Sequence, residues 1–253
     1  MTAPADCLQE TESRRPIPAL ELAEWADRYG LAAGITTRDG GFNLGLLTPE
    51  PAAEVLGRWR TFASAMAPGF PAIVVGLQVH GRVVAIHRDP VPGWTIRDGV
   101  DGHATGTAGI LCCVSVADCV PVYLTHPPSG IVALLHVGWR GAAGGMLEAG
   151  FAAVRALGAS RLDDVVMHCG VAICGACYEV GSEVLTAVTG TPVPHPGPLD
   201  LRAVLAIRAA QAGVGDISIS PLCAAHDAHR FFSHRRSGGT DGRMLAYLGR
   251  PVA

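Results

Sequence analysis

The chain contains no lysine: all 19 of its basic residues are arginine, set against 22 acids, for a net charge of −3. Without lysine there is no Walker loop, whose lysine must reach the nucleotide phosphates. The slightly acidic balance gives no field for nucleic acid or for an anionic membrane, although a local group of arginines can still hold one small anion. Charged residues are scarce, 16% of the chain against the usual quarter or so. Long apolar runs are missing too. The best, Gly109 to Leu124, is interrupted by Asp118, which excludes a membrane span. The opening residues, "MTAPADCLQETESRRP", carry acids and no apolar stretch, so they do not read as a secretory signal. With no such signal, eight cysteines in 253 residues point to reduced thiols in the cytoplasm and not to a disulfide framework.

What the chain does have is a 49% hydrophobic composition, enough for a sizeable core. Residues 1–15 read as a flexible tail, and 16–253 as one domain with no repeat or linker. Apolar strand-like runs alternate with helical spacings. "AIVVGLQVHG" (72–81) and "RVVAIH" (82–87) read as two paired strands joined at Gly81. "GILCCVSVADCVPVYL" (109–124) reads as a buried strand broken near Pro121 and then a second strand. "GIVALLHVGW" (130–139), "DDVVMHCG" (163–170), "DISIS" (216–220) and "RMLAYL" (243–248) are further strands. Met146, Leu147, Phe151, Val154 and Leu157 recur at helical spacing, and "DLRAVLAIRAAQAGV" (200–214) is a second helix, with Asp200 as its N-cap and Gly213 near its end. The pattern is that of one α/β domain with a mixed sheet.

Three residues with metal-ligand chemistry stand where strands meet turns: His80 in "QVHG", Cys119 in "ADCVP" and His136 in "LLHVGWRG". Their sequence gaps are long, so a zinc site made from them is assembled by the fold, and three ligands leave a position open as catalytic sites require. The plainer reading makes both histidines satisfied core residues and Cys119 a buried apolar thiol. Asp118, beside Cys119, is either a proton carrier or a turn residue bonding backbone amides. Trp139 and Arg140 follow His136 in a glycine-rich turn, Arg38 stands beside the turn in "ITTRDGG", and Arg236 lies in "RRSGGTDGR". Each loop can hold a phosphate or simply be solvated. Cys174-x-x-Cys177 has no second C-x-x-C pair and reads as structural thiols.

Taken together, "QVHG", "ADCVPV", "HVGWRGAAGG", "GVAICGACYEVG" and "FFSHRRSGGTDGRM", in this order, resemble the bacterial polyphenol oxidase/laccase-domain family, whose members are also described as purine nucleoside phosphorylases. The resemblance runs from Gly34 almost to the C-terminus. It implies a three-layer α/β/α fold with mixed sheets and a zinc ion held by His80, Cys119 and His136. It also implies phosphorolysis of adenosine, inosine and methylthioadenosine, with adenosine deamination beside it; copper-dependent phenol oxidation is the family's older description. The chain departs from the family pattern at Val171, Cys174, His234 and Ser237.

The expected enzyme is therefore a zinc-dependent purine nucleoside phosphorylase whose partners are a nucleoside and phosphate, as a monomer or a homodimer. Arg38, Arg140 and Arg236 are assigned to phosphate or ribose. For deamination, a zinc-activated water attacks C6 of adenine while Asp118 moves the proton. Copper oxidation is a weaker reading, because none of the 10 histidines forms a His-x-His pair. A cysteine hydrolase with Cys119 as nucleophile and a histidine base is the stronger rival. A non-enzymatic partner protein that keeps the fold is the third.

Overall fold

The computed structural model of the chain describes residues 10–13 and 15–252. Two mixed sheets stack face to face. The first runs in the order β1 (Thr11–Glu12), β2 (Ala19–Glu21), β3 (Ala32–Thr36), β15 (Met244–Gly249), β8 (Ile110–Val116), β4 (Ala72–Leu77), β6 (Gly93–Asp98). The second runs β14 (Asp216–Ile219), β11 (Val166–Cys169), β9 (Val120–His126), β10 (Ile131–Val137), β7 (Gly102–Thr105), β5 (Val84–His87). A two-stranded ribbon, β12 (Glu179–Val180) with β13 (Gly197–Pro198), stands apart.

Strand periodicity sorts the side chains into three apolar layers, since neighbours on a strand face opposite ways. On β10, Ile131, Ala133, Leu135 and Val137 face the helices, while Val132 and Leu134 face the other sheet. On β15, Met244, Ala246 and Leu248 face between the sheets, and Leu245 and Tyr247 face outward. Being covered on both faces, these strands appear in the sequence as unbroken apolar runs.

The helices are α1 (Ala23–Tyr29), α2 (Ala52–Met66), α3 (Trp139–Gly144), α4 (Met146–Ala156), α5 (Ser182–Thr189), α6 (Leu201–Ala212) and α7 (His234–Ser237). Val55, Trp59, Phe62 and Met66 line one face of α2 and close the outer side of the seven-stranded sheet. On the far side, Met146, Leu147, Phe151 and Val154 of α4, with α5 and α6, cover the six-stranded sheet. As expected, Asp200 caps α6, its Oδ1 accepting the N–H groups of Arg202 and Ala203, and Gly213 ends it in the left-handed region. No helix among the described residues is long and apolar enough to cross a membrane.

The architecture is the expected α/β domain with mixed sheets, and its central layer is double. Two details differ from the sequence reading. Residues 72–77 and 84–87 do not pair: β4 joins the seven-stranded sheet and β5 the six-stranded one, so Gly81 lies in a crossing and not in a hairpin. The break expected near Pro121 falls at 117–119, and Pro121 sits inside β9. There it faces His136, whose own N–H is taken by the Asp101 carbonyl, so the missing proline donor leaves no gap on that side. Of the tail expected over 1–15, residues 1–9 and 14 lie outside the described residues. Thr11–Glu12 is a strand, paired with β2.

Candidate functional site

Strands β4, β6 and β8 run parallel, so their C-terminal ends share one edge of the seven-stranded sheet. From that edge the chain crosses three times to the other sheet: β4 to β5, β6 to β7 and β8 to β9. The crossings carry His80, Asp101 and Cys119 in turn, and the end of β10 brings His136 to meet them. The ligand atoms of His80, Cys119 and His136 all lie within 4.8 Å of one another. The His80 and His136 rings stand edge to face with centroids 4.8 Å apart. His136 is buried, Cys119 half-buried and His80 exposed, so the cluster is open on one side.

Asp101 organises this cluster, and sequence reasoning missed it. Its carboxylate is fully buried. Oδ1 accepts the His80 N–H and the His136 Nδ1–H, both at 2.9 Å, while Oδ2 accepts the N–H groups of Gly81 at 2.8 Å and Val79 at 3.2 Å. Burial alone would raise this carboxyl; the bonds from His136, Gly81 and Val79 outweigh it and hold the group below the ordinary carboxylate range. With Nδ1 committed to Asp101, His136 presents Nε2 to the cluster, the arrangement that fixes the tautomer of a metal-binding histidine. Burial would also raise the Cys119 thiol, yet His136 and His80 bring it down to about 6, so the residue stands ready as a thiolate.

His80 and Asp118 are the only non-glycine residues with positive φ among the described residues, at 58° and 80°. Such backbone costs energy and persists only where its surroundings fix it. Around His80, three consecutive N–H groups are tied to one carboxylate. At Asp118, the carbonyl accepts the Ile173 N–H at 3.0 Å and Oδ2 accepts the Arg235 N–H at 2.7 Å. Asp118 Oδ1 is buried with no hydrogen-bond partner among the described residues. Gly138 lies close against the cluster: a Cβ there would stand 3.0 Å from both Cys119 Sγ and His80 Cδ2, a tight contact. The glycine at the end of "LLHVG" therefore leaves room for the ligands, which the sequence alone does not separate from a tight turn.

A cavity of about 580 Å³ adjoins the cluster, within the size range of small-molecule sites. His80, Asp118, Cys119, His136, Trp139 and Arg140 all line it, so five of the seven predicted site residues, His80, Asp118, Cys119, His136 and Arg140, come together there. Arg140 lies over the Trp139 ring, 4.4 Å from its centroid. Arg38 and Arg236 do not line the cavity. Arg38 reaches the carbonyls of Ala228 and Phe231, and Arg236 those of Ala224, Ala225 and Phe231; both also meet Asp241 Oδ2 at 3.4 Å. These contacts tie both side chains to the 224–241 loop. The cationic lining comes instead from Arg140, Arg235 and Arg243, with His234 and Tyr178 beside them. The reading of Cys174 and Cys177 as an isolated pair is also corrected, because Cys223 and His226 meet them in space.

A stacked pair of mixed sheets with a two-histidine, one-cysteine cluster at the crossing edge defines the class, and the comparisons agree. The family described as multi-copper polyphenol oxidoreductase laccase matches residues 31–251, and the chain belongs to that family. It is similar to purine nucleoside phosphorylase YlmD of Geobacillus stearothermophilus, 34% identical over 248 residues that span 87% of this chain and 90% of the relative. It is 32% identical to adenosine deaminase RL5 of an unknown prokaryotic organism, over 85% of this chain and 92% of that one. The crystal structure of YlmD superposes with a TM-score of 0.86 at 31% identity, covering 95% of this chain and 99% of YlmD.

Proposed function

We propose that this chain is a zinc-dependent purine nucleoside phosphorylase acting on adenosine, inosine and methylthioadenosine, with adenosine deamination at the same site. The observation that carries the reading is the convergence of His80, Cys119 and His136 on a cavity with cationic and aromatic walls. The donor set fits zinc: two imidazoles and a thiolate in easy reach of one centre, with one side open. Such an ion supplies Lewis acidity and a lowered pKa for water at neutral pH. His80, Cys119 and His136 would hold it, and Asp101 would fix the orientation of His136.

Phosphorolysis breaks the bond between the anomeric carbon and the purine while a phosphate oxygen bonds to that carbon. The chain must hold an anion beside a sugar that turns cationic. Arg140, Arg235 and Arg243 are the positioning groups for that anion in our assignment. They line the cavity, which Arg38 and Arg236 do not. Trp139 and Tyr178 give the base an aromatic enclosure. Deamination adds water at C6 of adenine and releases ammonia. Asp118, with one carboxylate oxygen free of partners, carries the proton.

Neither reaction consumes oxygen, so a panel of nucleosides with phosphate under anaerobic conditions tests the assignment and separates it from copper-dependent phenol oxidation. Phosphate-dependent release of free base together with the sugar 1-phosphate supports the phosphorylase reading; its absence with metal fully loaded overturns it. Asp118→Asn is expected to lower deamination by about a hundredfold or more while metal content stays at the wild-type level. Normal deamination by that variant makes Asp118 a turn residue only.

One observation favours a second reading. The series Cys119, His136, Asp101 has the order of a cysteine hydrolase triad, with a lowered thiol and a histidine held by a buried carboxylate. His80, aimed at the same sulfur, argues for metal, because a nucleophile needs a single base. Iodoacetamide decides between them. A thiolate engaged by metal should resist alkylation until a chelator is added; equal labelling with and without chelator favours the hydrolase.

A further inference from the structure

A second cluster lies outside the cavity, in residues the proposed chemistry does not use. Cys174 and Cys177 flank the short 3-10 turn at Gly175–Cys177, closed by the bond from the Cys177 N–H to the Cys174 carbonyl at 3.0 Å. Cys223 and His226 lie in a turn of the loop after β14, with the Asp227 N–H on the Cys223 carbonyl at 2.9 Å. An isolated parallel bridge between Ala172 and Cys223 sets the two turns side by side. The ligand atoms of all four residues fall within 4.8 Å of one another. His226 Nε2 stands 3.1 Å from Cys177 Sγ, and its Nδ1 3.7 Å from Cys174 Sγ. All three cysteines are free thiols. Cys223 Sγ already accepts the Cys174 N–H at 3.3 Å, as a thiolate ligand would.

We propose that Cys174, Cys177, Cys223 and His226 form a second metal site, a closed tetrahedral site for zinc that is structural and not catalytic. Two local pairs with two intervening residues each, brought together from distant parts of the chain, are the usual construction of structural zinc sites. With metal–sulfur bonds of about 2.3 Å, tetrahedral geometry sets ligand sulfurs roughly 3.8 Å apart, so the spread seen here needs only a small contraction. Three thiolates and an imidazole favour zinc over the hard cations magnesium and calcium. On binding, the thiols release their protons to solvent. Four protein ligands leave no position for substrate.

The site has a definite mechanical role. The first pair lies between Ile173 and Tyr178, both of which line the cavity. The second pair brackets Ala224 and Ala225, whose carbonyls receive Arg236. The metal therefore clamps one wall of the cavity to the loop that supports it, independently of the His80, Cys119 and His136 cluster.

Metal analysis of the full-length protein, purified anaerobically, is the test. Wild type is expected to carry two zinc ions, Cys119→Ala one, and the Cys174→Ser/Cys177→Ser double variant one. Cobalt added to metal-free Cys119→Ala protein should give the visible bands and thiolate charge-transfer absorption of a tetrahedral thiolate site, lost when the two serines are added. If the double variant does not fold, the Cys119→Ala measurements decide alone. Cys119→Ala protein that binds neither zinc nor cobalt overturns the second site and leaves the first intact. Retention of one ion in Cys119→Ala and loss of all metal in the double variant would support this site and sink the first. A Cys174–Cys177 disulfide in the anaerobic protein also overturns the proposal.

Discussion

Alanine in place of Cys119 is expected to remove one equivalent of metal and nearly all nucleoside turnover, while the far-ultraviolet circular dichroism stays close to wild type. Only His80 and His136 would remain, and two imidazoles do not hold zinc against solvent and buffer as three ligands do. Altering a residue that merely supports a ligand typically costs 10–100-fold in metal affinity. Loss of a ligand should therefore exceed about a hundredfold by the same measure. The fold should survive, since the ligands come from strands whose apolar layers are complete without them, unlike small fingers that need metal to fold. His136→Ala should behave alike. A Cys119→Ala protein that loses no metal and still turns over nucleosides removes the ligand assignment and the function built on it.

The second large effect is expected at Asp101, a residue that touches no substrate. Asp101→Asn keeps the size and one oxygen but puts an amide nitrogen where the carboxylate accepted hydrogen bonds. Of the four donors now facing that carboxylate, two lose their acceptor. Each buried donor left unpaired costs about 1–3 kcal/mol, a large part of the 5–15 kcal/mol that typically holds a domain folded. The His136 ring and the left-handed backbone at His80 also lose their anchor, so metal affinity should fall by about 10–100-fold. Chelator competition and thermal unfolding on the same samples read the two effects separately. If the variant keeps both wild-type metal affinity and melting temperature, Asp101 is not the organiser of the cluster.

The elements were legible because apolar runs and helical spacings are local. The layers were not. In "AIVVGLQVHGRVVAIH" the two strands are too alike in apolar content to say that one belongs to each sheet; pairing depends on what covers both faces, which no period-2 pattern records. His80, Cys119 and His136 could be singled out since each is rich in chemistry and stands where an apolar run stops. Asp101 sits in "DGVDGH" as one acid among turn residues, and only the fold reveals the four donors that surround it. At Arg38 and Arg236 charge marks a side chain as capable of holding an anion, and only the fold reveals that both reach carbonyls of residues 224–231 and that neither lines the cavity. The Cys174-x-x-Cys177 pair has a counterpart in "CAAH" at 223–226, which is not a cysteine pair, and only the fold brings the two together.

The three crossings have a consequence for the order of events as the protein folds. His80, Asp101 and Cys119 lie on chain segments that leave one sheet and enter the other, so neither sheet alone presents a ligand set. A cation that needs all three ligands would meet the complete set only after both sheets have formed and docked. Interactions absent from the transition state slow unfolding and leave the folding rate nearly unchanged. With the proposed metal bound, the cluster would act as a latch on the finished molecule: slower unfolding with an unchanged folding rate is the expected signature, and metal that speeds refolding overturns it.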